Sequence, residues 1–227
     1  MPGRREHWAP GRFRKRVQRI TVNGMVMLSP APPVLASRPT LRVGPFATVP
    51  NLVTLVRTVA AVSLGVVAEA TGSLALVVVA YGVFWAGDLL DGWSARRLRQ
   101  ETRAGAVFDI VSDRACVAVL CAGLLSMVPG VGPVALVFLL SFMVLDAMLS
   151  LSFLCWPVLS PNYFHEVDRR VWQLNWSPAG KAANSAGVIG AVALGLHGVA
   201  LAVALGVVAV KIWSSVRVVH LLERDGL

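Results

Sequence analysis

Apolar runs of about the length of a bilayer crossing alternate with short polar turns along most of the 227-residue chain. A helix needs roughly 20 mainly apolar residues to span a hydrocarbon core. Such runs cover Leu52 to Ala68, Leu74 to about Ala86, Ala104 to Val128, Val134 to Trp156, Ala182 to Leu196 and Val199 to Leu222. Breaks fall at Glu69 to Ser73, at Pro129 to Pro133, at a polar and aromatic loop from Pro157 to Gly180, and at His197-Gly198. No stretch alternates with the period of two that marks a half-buried strand. The pattern predicts an all-α, polytopic membrane protein with six transmembrane helices. A basic arm (residues 1–48) precedes the membrane domain (residues 49–227).

Composition agrees, with 56% hydrophobic and 15% charged residues and a mean hydropathy of +0.68. The net charge of +9 is concentrated in the arm, at Arg4, Arg5, Arg12, Arg14, Lys15, Arg16, Arg19, Arg38 and Arg42. Beside a membrane domain, such an arm points to anionic lipids as its partner and not to nucleic acid. The arm has no apolar core ending in a small-residue cleavage site, so no cleaved signal peptide is expected. Lys and Arg also fill the loop at Arg96, Arg97, Arg99 and Arg103, the loop at Arg169, Arg170 and Lys181, and the tail at Arg217 and Arg224, and are missing from the three opposite turns. Basic loops stay in the cytoplasm, so both termini are expected there, in a multi-pass protein of the plasma membrane. Trp85, Trp93, Trp156, Trp172 and Trp176 gather at the same end and read as an interfacial belt. Cys116, Cys121 and Cys155 are odd in number, lack a metal-ligand spacing and read as buried hydrophobes. The histidines have no evident partners.

Charges within crossings are costly and mark cavities or partners. Arg57, Asp88, Asp91, Asp109, Asp113, Arg114, Asp146 and Lys211 all map to the cytoplasmic halves of their helices, which predicts one polar chamber open to the cytosol. Asp88 and Asp91 share a face at i, i+3, and Asp109 and Asp113 share one at i, i+4. Four converging carboxylates need a compensating cation, and an all-oxygen ligand set suits Mg²⁺ or Mn²⁺. Gly92, Ala95 and Gly105 lie on the same faces and lack bulk, which lets a phosphate or nucleotide approach the backbone. Arg96, just beyond, is a phosphate ligand by position.

The pattern Asp88-x2-Asp91-Gly92-x2-Ala95-Arg96-x8-Gly105-x3-Asp109-x3-Asp113 resembles the full signature of the CDP-alcohol phosphatidyltransferases. The helix-one entry, Pro50-Asn51-Leu52-Val53-Thr54-Leu55-Val56-Arg57, resembles that of phosphatidylglycerolphosphate and cardiolipin synthases. The resemblance implies transfer of a phosphatidyl group from CDP-diacylglycerol to a small alcohol. It implies two metal ions held by Asp88, Asp91 and Asp109, with Asp113 a further ligand or the general base. Gly92, Ala95, Arg96 and Gly105 would hold the CDP group, and a homodimer is also implied. The arm and the 157–180 loop fall outside the resemblance.

Several residues keep two readings. Asp146 and Lys211 form either a buried salt bridge or a substrate contact, and Lys181 either binds an acceptor phosphate or snorkels to the interface. Arg57, Arg114, Lys181 and Lys211 together exceed the cations that a CDP group needs, so a phosphorylated acceptor is expected. Asn51, Thr54 and Arg57 favour glycerol 3-phosphate, whereas Arg114 resembles the inositol-phosphate enzymes. Ala183, Gly187, Ala191 and Gly195 form a small-residue ridge, read as packing within the chain. A metal or solute transporter would also cluster carboxylates in a chamber, but inverted repeats and interrupted midplane helices are not evident.

Overall fold

The computed structural model describes residues 17–22, 25–30 and 43–226. The chain divides into two compact units, Met1–Leu41 and Arg42–Leu227. In the first, β1 (Val17–Val22) and β2 (Met25–Pro30) pair antiparallel, with Val22 opposite Met25. The sequence reading expected no strand. The missed signal is Asn23-Gly24, a pair that favours the tightest hairpin turns, between runs rich in Val, Ile and Met. Of the basic arm residues, Arg19 lies in β1; Arg4, Arg5, Arg12, Arg14, Lys15, Arg16, Arg38 and Arg42 lie outside the described residues.

The second unit is helical. Helix α1 (Val49–Thr71) starts at Thr48, whose side chain accepts the Asn51 N–H, and stops at Gly72, which takes the left-handed conformation at φ 62°. Ser73 then caps α2 (Leu74–Leu98), and Thr102 caps α3 (Arg103–Met127) through the Gly105 N–H. Helix α4 (Gly132–Cys155) carries a π-helical turn at Ser141–Asp146 and closes in a 3-10 turn at Ser152–Cys155. The polar loop is ordered, with a 3-10 turn at Pro161–Glu166 and a short helix, α5 (Arg169–Asn175). Helix α6 (residues 178–193) joins Pro178–Lys181, a π-helical turn at Ala182–Ala186 and Gly187–Ala193. Helix α7 (His197–Asp225) completes the unit.

Five of these helices, α1, α2, α3, α4 and α7, are long and apolar enough to cross a membrane. The sixth expected crossing corresponds to α6. It ends at Ala193 because Gly195 turns left-handed at φ 72° and the Leu196 N–H closes back on the Ala191 carbonyl. At 1.5 Å per residue it rises only about 24 Å.

Close packing of small residues joins α1, α2 and α3: Ala61, Ala68, Ala80 and Cys116 are buried between them. On the other side, Val188 and Ala191 of α6 meet Ala200 and Ala204 of α7, and Val131 and Val134 beside them. The small-residue ridge thus packs within the chain at Ala191. Large residues such as Val59, Val78, Leu89 and Leu136 point outward. That suits lipid as the surrounding solvent, where helix association relies on contact and not on apolar burial.

The loop covers one end of the bundle. Phe164 and Val171 are fully buried there against Leu149, Phe153 and Val218. Trp156 and Trp176 belong to this core, packed at 5.4 and 4.9 Å from the Phe164 ring. The expected tryptophan belt is therefore corrected: Trp85 and Trp93 are exposed on α2, but Trp156 and Trp176 are buried. The cysteine reading needs a similar correction, because Cys116 and Cys121 are buried while Cys155 is exposed.

Candidate active site

The ends of α2 and α3 supply the carboxylates. One oxygen from each of Asp88, Asp91 and Asp109 lies within 4.8 Å of the others, as the helical spacing predicted. Arg57 of α1 reaches all four aspartates. Its Nε donates to Asp91 Oδ2 at 2.8 Å, and its Nη2 donates to Asp113 Oδ1 at 2.9 Å and to Asp109 Oδ1. The same Nη2 is 3.8 Å from Asp88 Oδ1. Thr54 Oγ1 donates to Asp91 Oδ2 at 2.8 Å. Asp91 is the most enclosed carboxylate, whereas Asp88 and Asp109 are about two-fifths exposed at 42% and 38%.

The sequence reading grouped Arg57 with acceptor-binding cations. The structure instead sets it behind the aspartates, buried on α1 and against the Phe84 ring at 5.4 Å. Its stem runs across Gly87, where an added Cβ would overlap the Arg57 side chain. Gly105 meets a comparable limit, since a Cβ there would lie 2.7 Å from Asn51 Oδ1. Thr54, Asn51 and Gly87 are thus parts of the site that spacing alone did not assign. The first two belong to the helix-one pattern; Gly87 gives no signal in the sequence.

A second ionic cluster lies deeper. Asp146, at the end of the π-helical turn in α4, pairs with both Arg114 of α3 and Lys211 of α7. Of the two readings held for Asp146 and Lys211, the salt bridge is the one present. It takes up Arg114 as well. Arg114 also lies over the Phe142 ring at 4.0 Å. Lys181, at the start of α6, is exposed and makes no ion pair among the described residues.

One cavity of about 1010 Å³ connects these groups. Asp88, Asp91, Asp109 and Asp113 line it together with Gly92, Ala95, Arg96 and Gly105, and so do Arg114, Lys181 and Lys211. Arg57 does not. The far walls are apolar, running past Leu120, Phe138 and Val192 towards His197. The ordered loop contributes Leu159, Pro161 and Asn175 to the wall.

Residues 47–216 match the family model for CDP-alcohol phosphatidyltransferase. The chain belongs to the CDP-alcohol phosphatidyltransferase family. No curated protein and no solved structure matches it. As a family member it is a membrane transferase of phospholipid biosynthesis that moves a phosphatidyl group from a CDP-activated donor to an alcohol. The family uses divalent metal ions, and the donor set here fits one. Three carboxylates converge on a cavity wall without a sulfur or imidazole ligand, as hard cations such as Mg²⁺ and Mn²⁺ require. The family match covers the 157–180 loop as well, which the sequence reading set outside the resemblance.

Proposed function

We propose that this CDP-alcohol phosphatidyltransferase transfers the phosphatidyl group of CDP-diacylglycerol to glycerol 3-phosphate and releases CMP. The chamber would open to the cytoplasm at the plasma membrane. The observation that carries this reading is the single cavity, in which the signature aspartates share a wall with Lys181 and Lys211 and face a long apolar surface. A lipid with an anionic headgroup and a small phosphorylated acceptor both find matching chemistry there.

In the reaction, the acceptor hydroxyl oxygen attacks the phosphorus bonded to the diacylglycerol oxygen. The bond from that phosphorus to the CMP oxygen breaks. Two divalent ions held by Asp88, Asp91 and Asp109 would neutralise the pyrophosphate charge and polarise the reacting phosphate. Asp113 is the general base of this reading and accepts the hydroxyl proton. Gly92, Ala95 and Gly105 line the cavity wall where the CDP group would lie, and Arg96 supplies a guanidinium for its phosphates.

The acceptor phosphate is assigned to Lys181, with the Arg114–Asp146–Lys211 cluster behind it. Two cations against one carboxylate leave that cluster a net positive charge, which an anionic acceptor would offset. Inositol phosphate is the second candidate acceptor, favoured by Arg114 next to Asp113.

Purified protein given labelled CDP-diacylglycerol, Mg²⁺ and a panel of glycerol 3-phosphate, glycerol, inositol phosphate, inositol and serine tests the assignment. The expected product is phosphatidylglycerol phosphate with CMP. Preference for an uncharged alcohol or for serine would overturn the phosphorylated acceptor.

A further inference from the structure

We propose that Arg57 is a positioning residue that aims the metal-binding carboxylates, an inference that rests on the divalent-metal reading above. Three observations carry it. Arg57 has 2% of its side-chain surface exposed and stays off the cavity wall that the four aspartates line. It therefore approaches them from behind, where neither substrate reaches.

Its Nε and Nη2 engage one oxygen each of Asp91, Asp109 and Asp113, while Asp88 stays 3.8 Å away and Nη1 has no partner among the described residues. Asp91 commits Oδ2 to Arg57 Nε and Thr54 Oγ1, and Asp109 and Asp113 each commit Oδ1 to Nη2. Among the described residues, no hydrogen bond reaches Asp91 Oδ1, Asp109 Oδ2 or Asp113 Oδ2, and none of these oxygens is sealed from the cavity. One oxygen of Asp91 and one of Asp109 are left to face a cation, and one of Asp113 to take the acceptor's proton.

The guanidinium is also confined by its neighbours. Its stem is held against Gly87, where the absence of a Cβ is what admits it, and Phe84 lies alongside. A planar fork fixed in this way sets direction as well as charge. Groups that orient metal ligands from behind raise affinity, and their loss costs about 10- to 100-fold.

A plain charge argument predicts the opposite sign. Arg57 is a cation beside a cation site, so removing its charge should tighten metal binding and replacing it with lysine should change little. The measurement is Mn²⁺ binding to the full-length protein in detergent without substrate, followed by the electron paramagnetic resonance signal of free Mn²⁺. Arg57→Lys, which keeps the charge and loses the fork, is expected to weaken binding about tenfold or more. Thr54→Val, which removes only the second donor to Asp91 Oδ2, should weaken it to a smaller but measurable extent and decides the matter if Arg57→Lys fails to fold. Thermal unfolding in chelator identifies folded variants, so that an affinity loss is separated from a general structural defect. If both folded variants bind Mn²⁺ as tightly as the wild type, Arg57 is only a counter-charge and the inference fails alone. A wild type that binds no Mn²⁺ overturns the metal reading and this inference together.

Discussion

Asp168 joins the start of α5 to the last helix: its Oδ2 lies 2.7 Å from Arg217 Nη2, while its Oδ1 accepts the backbone N–H groups of Arg170 and Val171. Burial alone would raise the Asp168 carboxyl, but Arg217 and the two backbone donors hold it below its ordinary value. The contribution to stability is therefore complete above the unfolded value of about 3.9 and is lost as pH falls through the lower folded value. Asp168→Asn keeps an N-cap acceptor and loses the ion pair, so it should destabilise by about 1–2 kcal/mol at pH 7. Unfolding temperatures in detergent should differ clearly at pH 7 and converge in strong acid.

Neutralising the carboxylate centre should stop turnover. Asp88→Asn, Asp91→Asn and Asp109→Asn each remove a charge with little change in volume. Loss of several kcal/mol of charge stabilisation corresponds to at least about a thousandfold in rate. CMP release should fall by that factor in each variant, and in the wild type under excess chelator. Wild-type rates in any two variants would rule out the proposed centre.

Gly87 gives a test of packing at the same site. Gly87→Ala places a Cβ on the Arg57 stem, which has Phe84 beside it and little room to yield. A cost of about 1–3 kcal/mol is expected, with reduced activity in the surviving folded protein. Thermal unfolding and CMP release measured on one preparation would show both effects.

The two lysines of the chamber should respond differently. Lys181 is exposed, so Lys181→Ala should leave the fold intact and raise the acceptor KM more than the CDP-lipid KM. Lys211 is buried on Asp146, and Lys211→Met breaks half of a buried ionic cluster, at a cost of about 3–5 kcal/mol in stability. Steady-state kinetics on the first variant and unfolding on the second make the comparison.

Membrane orientation is testable by labelling. Cysteines at Ser73, Gly130 or Gly198 should react with an impermeant reagent on intact cells, and cysteines at Gln100 or Gln173 only after lysis. The reverse pattern would put the chamber on the outer side.

The site's acidic half was legible because helical spacing is a local property: i, i+3 and i, i+4 fix which carboxylates share a face before any packing is known. What Arg57 does was not legible, since it depends on α1 passing behind α2 and α3. The same limit explains Trp156 and Trp176, whose burial follows from the loop folding Phe164 between them. The pairing of Arg114 with Asp146 was not legible either, since it joins α3 to α4 and depends on how those helices pack. The hairpin was different in kind: Asn23-Gly24 was present in the sequence as a local turn signal and was not read as one.

Taken as the sixth crossing that the sequence predicts, α6 would give the protein a thin side. Helices of 23 and 25 residues in α1 to α3 match a hydrocarbon core of about 30 Å, whereas α6 supplies only about 24 Å. Lipids next to such a crossing would have to shorten, or polar groups at its ends be drawn inward, at a fraction of a kcal/mol for each Å of mismatch. The wall that carries Lys181 would then be the one most sensitive to bilayer thickness, and a membrane of shorter acyl chains would hold it with the least strain.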